Sequence, residues 1–246
     1  MSELSVYSLG PKTFVLSFAN EQITHWHIRK QWLLRQLLLE NLGDQIEDIV
    51  MTSNALTLFF KLPPKCIKKI GQEIKACTDS FPKNKAPLAY KKWVIPVCFD
   101  NDYRIDLSTY FANDYKKVTS YIDAFLKEEL IVHHFGFLPG FCYLSGLKKE
   151  LQLPRKQNPI LKVPKGSVAV GGTYAGIYPQ QSPGGWHLIG RTNVAMFRPE
   201  KDLPTFANPG DSFMFEAISK ATYLRVFNAA AVDSKHPKYT TSYAQP

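Results

Sequence analysis

The chain has 246 residues, of which 45% are hydrophobic and 21% are charged, and its formal net charge is +9. These values are typical of a globular protein with one large domain or two small ones, and they exclude global disorder. The positive balance favours anionic partners such as nucleotides, acidic metabolites or an acidic protein. The lysines are scattered in pairs and no nucleic-acid-binding motif accompanies them, so nucleic acid is not a predicted partner.

The cysteines and the apolar segments exclude other classes. Cys66, Cys77, Cys98 and Cys142 lie far apart, and no His/Cys cluster has the spacing of a zinc site, so we expect reduced thiols, a cytoplasmic location and no metal. The N-terminal residues lack the pattern of a signal peptide. The most apolar stretch, residues 32–40, is too short to cross a bilayer, so no membrane association is predicted.

The first third of the chain alternates between strand and helix patterns. The predicted elements are strands at 4–9 and 13–18, a helix capped by Asn20 and ended by Gly43, strands near 46–52 and at 55–60, and a helix opened by Pro64. Two helices on one face of a small antiparallel sheet would form an α+β sandwich. We assign this sandwich to an N-terminal domain of residues 1–82.

The segment 80–92 contains two prolines and four lysines, a composition typical of a linker. We predict that the domain boundary lies there and that limited proteolysis cuts there first, because few contacts cross a domain boundary. The cut is read by mass spectrometry of the first fragments. Protection of 80–92 together with cleavage inside 136–192 would contradict the boundary.

The rest of the chain, from Trp93 onward, has the pattern of a β-rich domain. The predicted strands are WVIPVCF (93–99), GSVAVGG (166–172), VAMFRP (194–199), SFMFEAI (212–218) and TYLRVF (222–227), with one helix at roughly 113–130. Many short strands separated by Pro/Gly turns favour a closed β-barrel, which we assign to residues 90–235. The last residues, 236–246, have the composition of a polar tail.

Three clusters of glycine and proline stand out: GFLPGFCYL (136–144), GGTYAG (171–176) and SPGGW (182–186). One interpretation is that all three only turn barrel strands. The other is that they converge on one rim, where backbone N–H groups form an anion site. Trp186 and Tyr143 would then be its walls, with Arg155 or Arg191 binding a carboxylate or phosphate. The adjacent His133 and His134 are interpreted as strand residues, one of them in the core.

Several catalytic motifs are missing from the sequence. GGTYAG is not followed by a predicted helix, so it is not a dinucleotide-binding motif. The chain contains no G-x-x-x-x-G-K-[ST] loop for ATP and no G-x-S-x-G around Ser182. No catalytic residue is assigned from the sequence.

The motifs GFLPGFCYLSGL, PR (154–155), VPKGSVAV, GIYPQQSPGGWHLIGRT and NPGDSFMFEAIS resemble the family of the 5-oxoprolinase B subunit. This family includes the Kip inhibitor of sporulation kinases and is also described as allophanate hydrolase subunit 1, or carboxyltransferase domain subdomains C and D. The resemblance is specific over 93–220 and looser over 4–79. It implies a cyclophilin-like barrel as the second domain. It also implies a C-subunit-like partner with a related barrel and a third protein that is A-subunit-like.

In 5-oxoprolinase, the assembly opens 5-oxoproline to glutamate at the expense of ATP. The resemblance therefore implies that ATP serves the whole complex, with one of the partners as a candidate for binding it. The site residues that it suggests, for substrate or for a subunit interface, are Asp106, Gly140, Phe141, Tyr143, Arg155, Gly172, Ser182, Pro183, Gly184, Gly185, Trp186, Arg191 and Thr192.

The chain departs from the family pattern at several positions. The family usually has His at Phe125, Arg at Ile160, Gln-Thr at Tyr174-Ala175 and two glycines at Asp100-Asn101. Each change removes a polar group or a flexible turn. Two functions are therefore considered: a subunit of ATP-dependent 5-oxoprolinase that is active only with its partners, and a non-catalytic regulatory protein that inhibits a histidine kinase.

Overall fold

The computed structural model describes residues 5–18, 24–80, 87–228 and 237–245. The chain divides into two compact units, residues 1–90 with 243–246 (unit 1) and residues 91–242 (unit 2). Asn20 and residues 81–86 of the predicted linker lie outside the described residues. That the two units fold independently remains a prediction.

Unit 1 contains a four-stranded antiparallel sheet and two helices. Its elements are β1 (Ser5–Gly10), β2 (Thr13–Ser17), α1 (His25–Leu42), β3 (Ile46–Met51), β4 (Ala55–Phe60) and α2 (Ile67–Ser80). The strand order is β1-β2-β4-β3. Helix α1 packs on β3, α2 packs on β1, and the helices contact each other, so both lie on one face of the sheet. The predicted α+β sandwich is confirmed.

The helix starts differ from the predictions. Helix α1 begins at His25, and the Thr24 hydroxyl oxygen caps it by accepting a hydrogen bond from the His27 N–H. Helix α2 begins at Ile67, three residues after Pro64. The predicted start of α2 was placed too early because a proline before a helix resembles one in its first turn.

Unit 2 is built mainly from short strands, and its first and last strands extend into the residues assigned to unit 1. Its elements are β5 (Leu88–Cys98), α3 (Ile105–Tyr110), α4 (Tyr115–Phe125), β6 (Glu129–Phe135), β7 (Cys142–Ser145), a 3₁₀ turn (Lys149–Leu151), β8 (Ile160–Val163), β9 (Ser167–Gly171), β10 (Tyr174–Ile177), β11 (Ser182–Gly184), β12 (His187–Arg191), β13 (Ser212–Ile218), α5 (Lys220–Asn228) and β14 (Tyr239–Ala244). Strands β8 and β11 pair as a separate two-stranded sheet.

Seven of these strands close into a barrel in the order β12-β9-β10-β7-β6-β13-β5, with β12 pairing back onto β5 at Arg191 and Cys98. Alternate residues of each strand point into the barrel, as the pleat requires. In β9, Val168 and Val170 belong to the interior core, whereas Ala169 belongs to a second cluster outside. The predicted barrel is confirmed.

Three predicted elements of unit 2 are wrong. Residues 194–199 are not a strand; the Val194 N–H bonds the Thr192 hydroxyl, which turns the chain away from the ladder. Residues 222–227 lie in helix α5, where the Ser219 hydroxyl accepts from the Thr222 N–H and caps the first turn. The predicted polar tail contains β14, which pairs with β5, and the Val94 N–H donates to the Lys238 carbonyl. Among the described residues, no helix has the length and hydropathy to span a membrane.

Candidate functional site

A second apolar cluster lies on the outer face of the barrel, over β7, β10, β9 and β12. We call it the outer cluster; its buried members are Phe141, Val163, Ala169, Tyr178, Trp186 and Leu188. Tyr143, Tyr174, Leu138 and Ile160 pack against it and are partly exposed. A barrel strand normally turns polar side chains outward, so a buried aromatic cluster on this face marks it as a candidate site.

Trp186 is the centre of the outer cluster. Its ring meets Phe141 edge-on at 5.5 Å and Tyr143 at 5.7 Å, and only 6% of the residue is exposed. The ring lies directly on the backbone of Gly171, where a β-carbon would come within 2.5 Å of Cγ of Trp186. The glycine-rich segments 171–176 and 182–186 are therefore packed against each other, with the missing side chain of one making room for the ring of the other.

Tyr178 holds the SPGGW turn in place by contacts with its backbone. The Trp186 N–H hydrogen-bonds to the Tyr178 hydroxyl, and a β-carbon at Gly184 would lie 2.8 Å from Cζ of that ring. Burial raises the pKa of Tyr178 to about 12. The phenol, protonated at neutral pH like any tyrosine, can serve as a hydrogen-bond donor to a neighbouring group as well as an acceptor from the Trp186 backbone N–H.

Asp106 and Lys156 connect three elements beside this turn. One Asp106 oxygen lies 2.6 Å from Nζ of Lys156, and the other accepts from the Leu188 N–H at 2.8 Å. The Lys156 N–H in turn donates to the Gly185 carbonyl at 2.8 Å. The Lys156 and Asp106 side chains are only 18% and 13% exposed. This buried ion pair ties α3, the 154–156 segment and β12 together, and it fixes the backbone next to Arg155.

His187 lies beside the ion pair. Its ring meets Tyr110 at 5.3 Å and donates to the Pro154 carbonyl, while its Nδ1 is buried without a hydrogen-bond partner among the described residues. Burial lowers the pKa of His187, and the proximity of Asp106 opposes that effect. The ring is therefore a neutral imidazole with an unused acceptor nitrogen, a group able to accept a proton or a hydrogen bond.

A polar extension of the outer cluster is formed by two histidines and two tyrosines. His134 stacks on Tyr143 with 4.5 Å between ring centroids, and the Tyr174 hydroxyl lies 3.4 Å from Nδ1 of His133. Burial, with a smaller effect of His133, lowers the pKa of His134 to about 4. His133 is the fully buried member of the pair, as predicted for one of the two, while His134 is partly exposed.

The lowered pKa of His134 predicts a pH-dependent stability. The unfolded chain binds this proton at about pH 6.5, so the stabilisation is complete above that value and is lost as the pH falls towards 4. Between pH 7 and 4.5, the wild type should lose about 2 kcal/mol more unfolding free energy than His134→Phe, which keeps the stacked ring. Urea unfolding at both pH values measures this. Equal pH slopes for both proteins would contradict it.

The structure brings most of the sequence-predicted site residues together. Asp106, Phe141, Tyr143, Arg155, Ser182, Pro183, Gly184, Gly185 and Trp186 lie in or beside the outer cluster. Gly172 joins them through its N–H, which donates to the Leu153 carbonyl at 2.7 Å. Gly140 lies instead against Phe197. The role of these residues in binding remains a prediction.

Arg191 and Thr192 lie elsewhere. Trp186 immediately precedes β12 and Arg191 ends it, so about 16 Å of extended chain separates the end of the SPGGW segment from Arg191. Trp186 and Arg191 were predicted to lie on one rim because they are close along the chain. In the structure, residues 187–191 between them form an extended strand. Arg191 Nε donates to the Lys165 carbonyl at 3.0 Å, and the guanidinium lies 5.8 Å from the Tyr103 ring. Thr192 is buried, and its N–H donates to the Gly166 carbonyl.

Arg191→Ala separates a binding role for this arginine from a structural one. A structural role predicts a loss of about 1 kcal/mol of unfolding free energy, because a hydrogen bond and a cation–π contact disappear. A binding role predicts a loss of about 2 kcal/mol of binding free energy for ligand or partner with little change in Tm. Calorimetry and titration of the same variant measure both quantities. Arg191→Lys is the matched control, because lysine keeps the charge and loses the bidentate geometry.

The family departures at Phe125, Ile160, Tyr174 and Ala175 fall into two environments, while Asp100-Asn101 lies outside both clusters, with Asp100 paired to Lys220. Phe125 and Ala175 are fully buried in the barrel core, where Phe125 packs against Phe215 with 4.9 Å between centroids. These two changes make the core more apolar and leave the outer face as it is. Tyr174 and Ile160 pack against the outer cluster, so they are the departures that alter the candidate site.

Sequence reasoning missed Lys156, Tyr178 and His187 as site residues. Lys156 directly follows the PR motif, and His187 directly follows Trp186, so adjacency to a motif was the only signal available. Among the described residues, no group of His, Cys, Asp and Glu could hold a metal ion. A depression of about 490 Å³ along α4 and one of about 460 Å³ between Asp44 and Glu73 contain none of the predicted site residues.

Comparison with known proteins identifies the family of this chain. The model of the carboxyltransferase domain, subdomain C and D, matches residues 4–207. The chain is 40% identical over 216 residues to the B subunit of 5-oxoprolinase from Escherichia coli O157:H7, covering 87% of this chain and 96% of that protein. It is 39% identical over 129 residues to the B subunit of 5-oxoprolinase from Bacillus subtilis, covering 52% of this chain and 54% of that protein. The match thus spans about half the length of the B. subtilis relative.

A crystal structure of urea amidolyase from Kluyveromyces lactis has the same fold. It superposes with a TM-score of 0.74 over 98% of this chain and 16% of that chain, at 14% identity. Because the family model extends from the first strand of unit 1 to the loop before β13, the chain belongs to the family of the carboxyltransferase domain, subdomain C and D.

Proposed function

We propose that the chain is the B subunit of an ATP-dependent 5-oxoprolinase, which opens 5-oxoproline to glutamate and is active only when assembled with its partner subunits. The observation that carries the proposal is the 40% identity across 96% of the E. coli protein of that name. The match covers 87% of this chain, which is more than unit 2 alone could supply, so it includes part of unit 1 as well as the barrel.

The outer cluster supports a role in binding the substrate. 5-Oxoproline is a small planar lactam with one carboxylate. Arg155 is exposed beside the SPGGW turn and pairs with no acid among the described residues, so its guanidinium is available for that carboxylate. The half-exposed rings of Tyr143 and Tyr174 offer an apolar surface of the right kind for the lactam ring.

In this proposal, the chain's own residues bind and orient the substrate. They do not activate ATP. The sequence has no glycine-rich phosphate loop, so we assign the nucleotide to the complex and not to this chain. The neutral His187 can then accept a proton or a hydrogen bond near a bound amide, while the buried Tyr178 holds the SPGGW segment through its hydrogen bond with the Trp186 backbone N–H.

Reconstitution tests the proposal. The chain is co-purified with the A-subunit-like and C-subunit-like proteins of the same organism, and glutamate formed from 5-oxoproline with ATP is measured. We expect turnover only with all three proteins and none from this chain alone. ATP-dependent turnover by the isolated chain would contradict the dependence on partners. A stable complex without turnover, combined with inhibition of a histidine kinase by this chain, would favour the regulatory alternative.

A further inference from the structure

An exposed phenylalanine beside the outer cluster is held in an unfavourable backbone conformation. Phe137 has φ of 67° and is 60% exposed. The Leu138 N–H donates to the Gly136 carbonyl at 2.8 Å, which closes a γ-turn centred on Phe137. A γ-turn with positive φ at its centre is rare and strained, and a bulky residue there is an outlier. Glycine would remove the strain, and within this chain the largely exposed phenyl ring offsets it through an edge-on contact with Phe141.

Phe137 is one of two exposed apolar side chains that border the outer cluster. Its ring contacts Phe141 at 5.5 Å, and Phe141 contacts Trp186. On the other flank, Ile160 of β8 packs against the cluster while the next residue, Leu161, is 80% exposed. β8 is held in place by pairing with β11 of the SPGGW turn. Because side chains alternate along a strand, Leu161 points away from Ile160 and the cluster towards solvent, and the Phe137 ring is also mostly exposed to solvent.

The charge around these residues has one sign. Between Glu150 and Glu200 the chain has six Lys and Arg residues and no Asp or Glu. Arg155 and Lys162 of this segment are exposed and pair with no acid among the described residues. Lys156 is already neutralised by Asp106. An apolar centre with a cationic rim is complementary to an apolar recess bordered by carboxylates, and it repels a second copy of itself.

We propose that Phe137 and Leu161 form the apolar centre of a docking surface for an acidic protein partner, which we identify with the C-subunit-like member of the complex. The inference rests on the proposed function. Arg155 and Lys162 form its rim and steer the partner, and Phe137 is the anchor that a pocket of the partner receives. The strained γ-turn then serves to present the Phe137 side chain to the partner.

The test compares partner binding by two variants at the proposed surface with binding by a control variant elsewhere on the chain. Isothermal titration with the purified C-subunit-like protein gives Kd for the wild type, Phe137→Asn, Leu161→Ser and the control Leu62→Ser. Leu62 is 75% exposed in unit 1. Asparagine tolerates positive φ, so Phe137→Asn should keep its Tm within about 2 °C. We expect Kd to rise at least tenfold for Phe137→Asn and Leu161→Ser and to stay within twofold for Leu62→Ser.

The rim is tested with a second matched pair. Lys162→Glu should weaken binding at least threefold and reduce its salt dependence, whereas Lys116→Glu on the exposed face of α4 should change neither. No binding by the wild type, unchanged Kd in Phe137→Asn, or equal effects of both lysine variants would overturn the proposal. Self-association of this chain that Phe137→Asn abolishes would also overturn it, because the occupant would then be a second copy.

Glutamate formation in the same preparations separates the two proposals. If the wild-type complex assembles through this surface without turnover, the proposed function fails and the docking surface is supported. If Phe137→Asn assembles and turns over as the wild type does, the docking surface fails and the proposed function is supported.

Discussion

Asp106→Ala is expected to lower the unfolding free energy by about 3 kcal/mol, because it leaves Lys156 as an unpaired, largely buried charge and removes the acceptor of the Leu188 N–H. Asp106→Asn keeps that acceptor and should lose only about half as much. Lys156→Met, which removes the cation together with its desolvation penalty, should lose less than Asp106→Ala. Urea unfolding of the three variants measures these losses of unfolding free energy and therefore their order.

The same variants test the positioning of Arg155. Asp106→Asn, in which the fold is retained, should raise KM of the reconstituted enzyme more than it lowers kcat, since the backbone carrying Arg155 is loosened while the rest of the site remains. A purely structural ion pair would leave KM unchanged in the folded fraction. If Asp106→Ala were as stable as the wild type, the connecting role of this ion pair would be wrong.

Trp186→Ala is expected to lower the unfolding free energy by about 4 kcal/mol, because it empties the centre of the outer cluster between Phe141, Tyr143 and Gly171. Trp186→Phe fills part of the space and should lose about half as much. A value below about 1 kcal/mol for Trp186→Ala would show that the cluster collapses around the vacancy or contributes little to stability.

The close approach of Trp186 to Gly171 gives an independent check. Gly171→Ala should destabilise the wild type by about 2 kcal/mol through steric overlap with the ring. In the Trp186→Ala background the overlap is gone, so the same substitution should have little effect. Additive effects of the two substitutions would contradict the contact. This double-mutant cycle depends on stability alone and holds whatever the ligand is.

The local patterns of this sequence were sufficient for the fold class. Strands β5, β9 and β13 were predicted because each is a short apolar run bounded by turn residues, and such runs are typical of barrel strands. The sequence failed at residues 222–227, whose aromatic and β-branched residues also fit a strand. Their helix is decided by the Ser219 cap. It failed again at β14, whose polar composition predicts a tail, because pairing with β5 satisfies its backbone irrespective of its side chains.

The candidate site, like the fold, depends partly on local sequence and partly on tertiary structure. The sequence by itself determined which residues are special: Gly171, Gly176 and Gly184 are required by close packing, because a β-carbon at each would overlap a neighbouring ring. It also determined the absence of acids between Glu150 and Glu200, and thus the sign of the charge on this face. Only the tertiary structure decided which of these residues meet. The partnership of Asp106 with Lys156 joins positions 50 residues apart, and nothing local in either segment specifies the other.

The separation of Arg191 from Trp186 was also decided only by the tertiary structure. Five positions along the chain can be a tight turn or an extended strand, and the sequence contains a glycine that suits the turn. Pairing of β12 with β9 and β5 makes the segment extended and places the arginine at the far end, beside Tyr103 and Lys165. Strand pairing, together with the Asp106 side chain that accepts from the Leu188 N–H, satisfies backbone groups along residues 187–191, and this outweighs the local preference of one glycine for a turn.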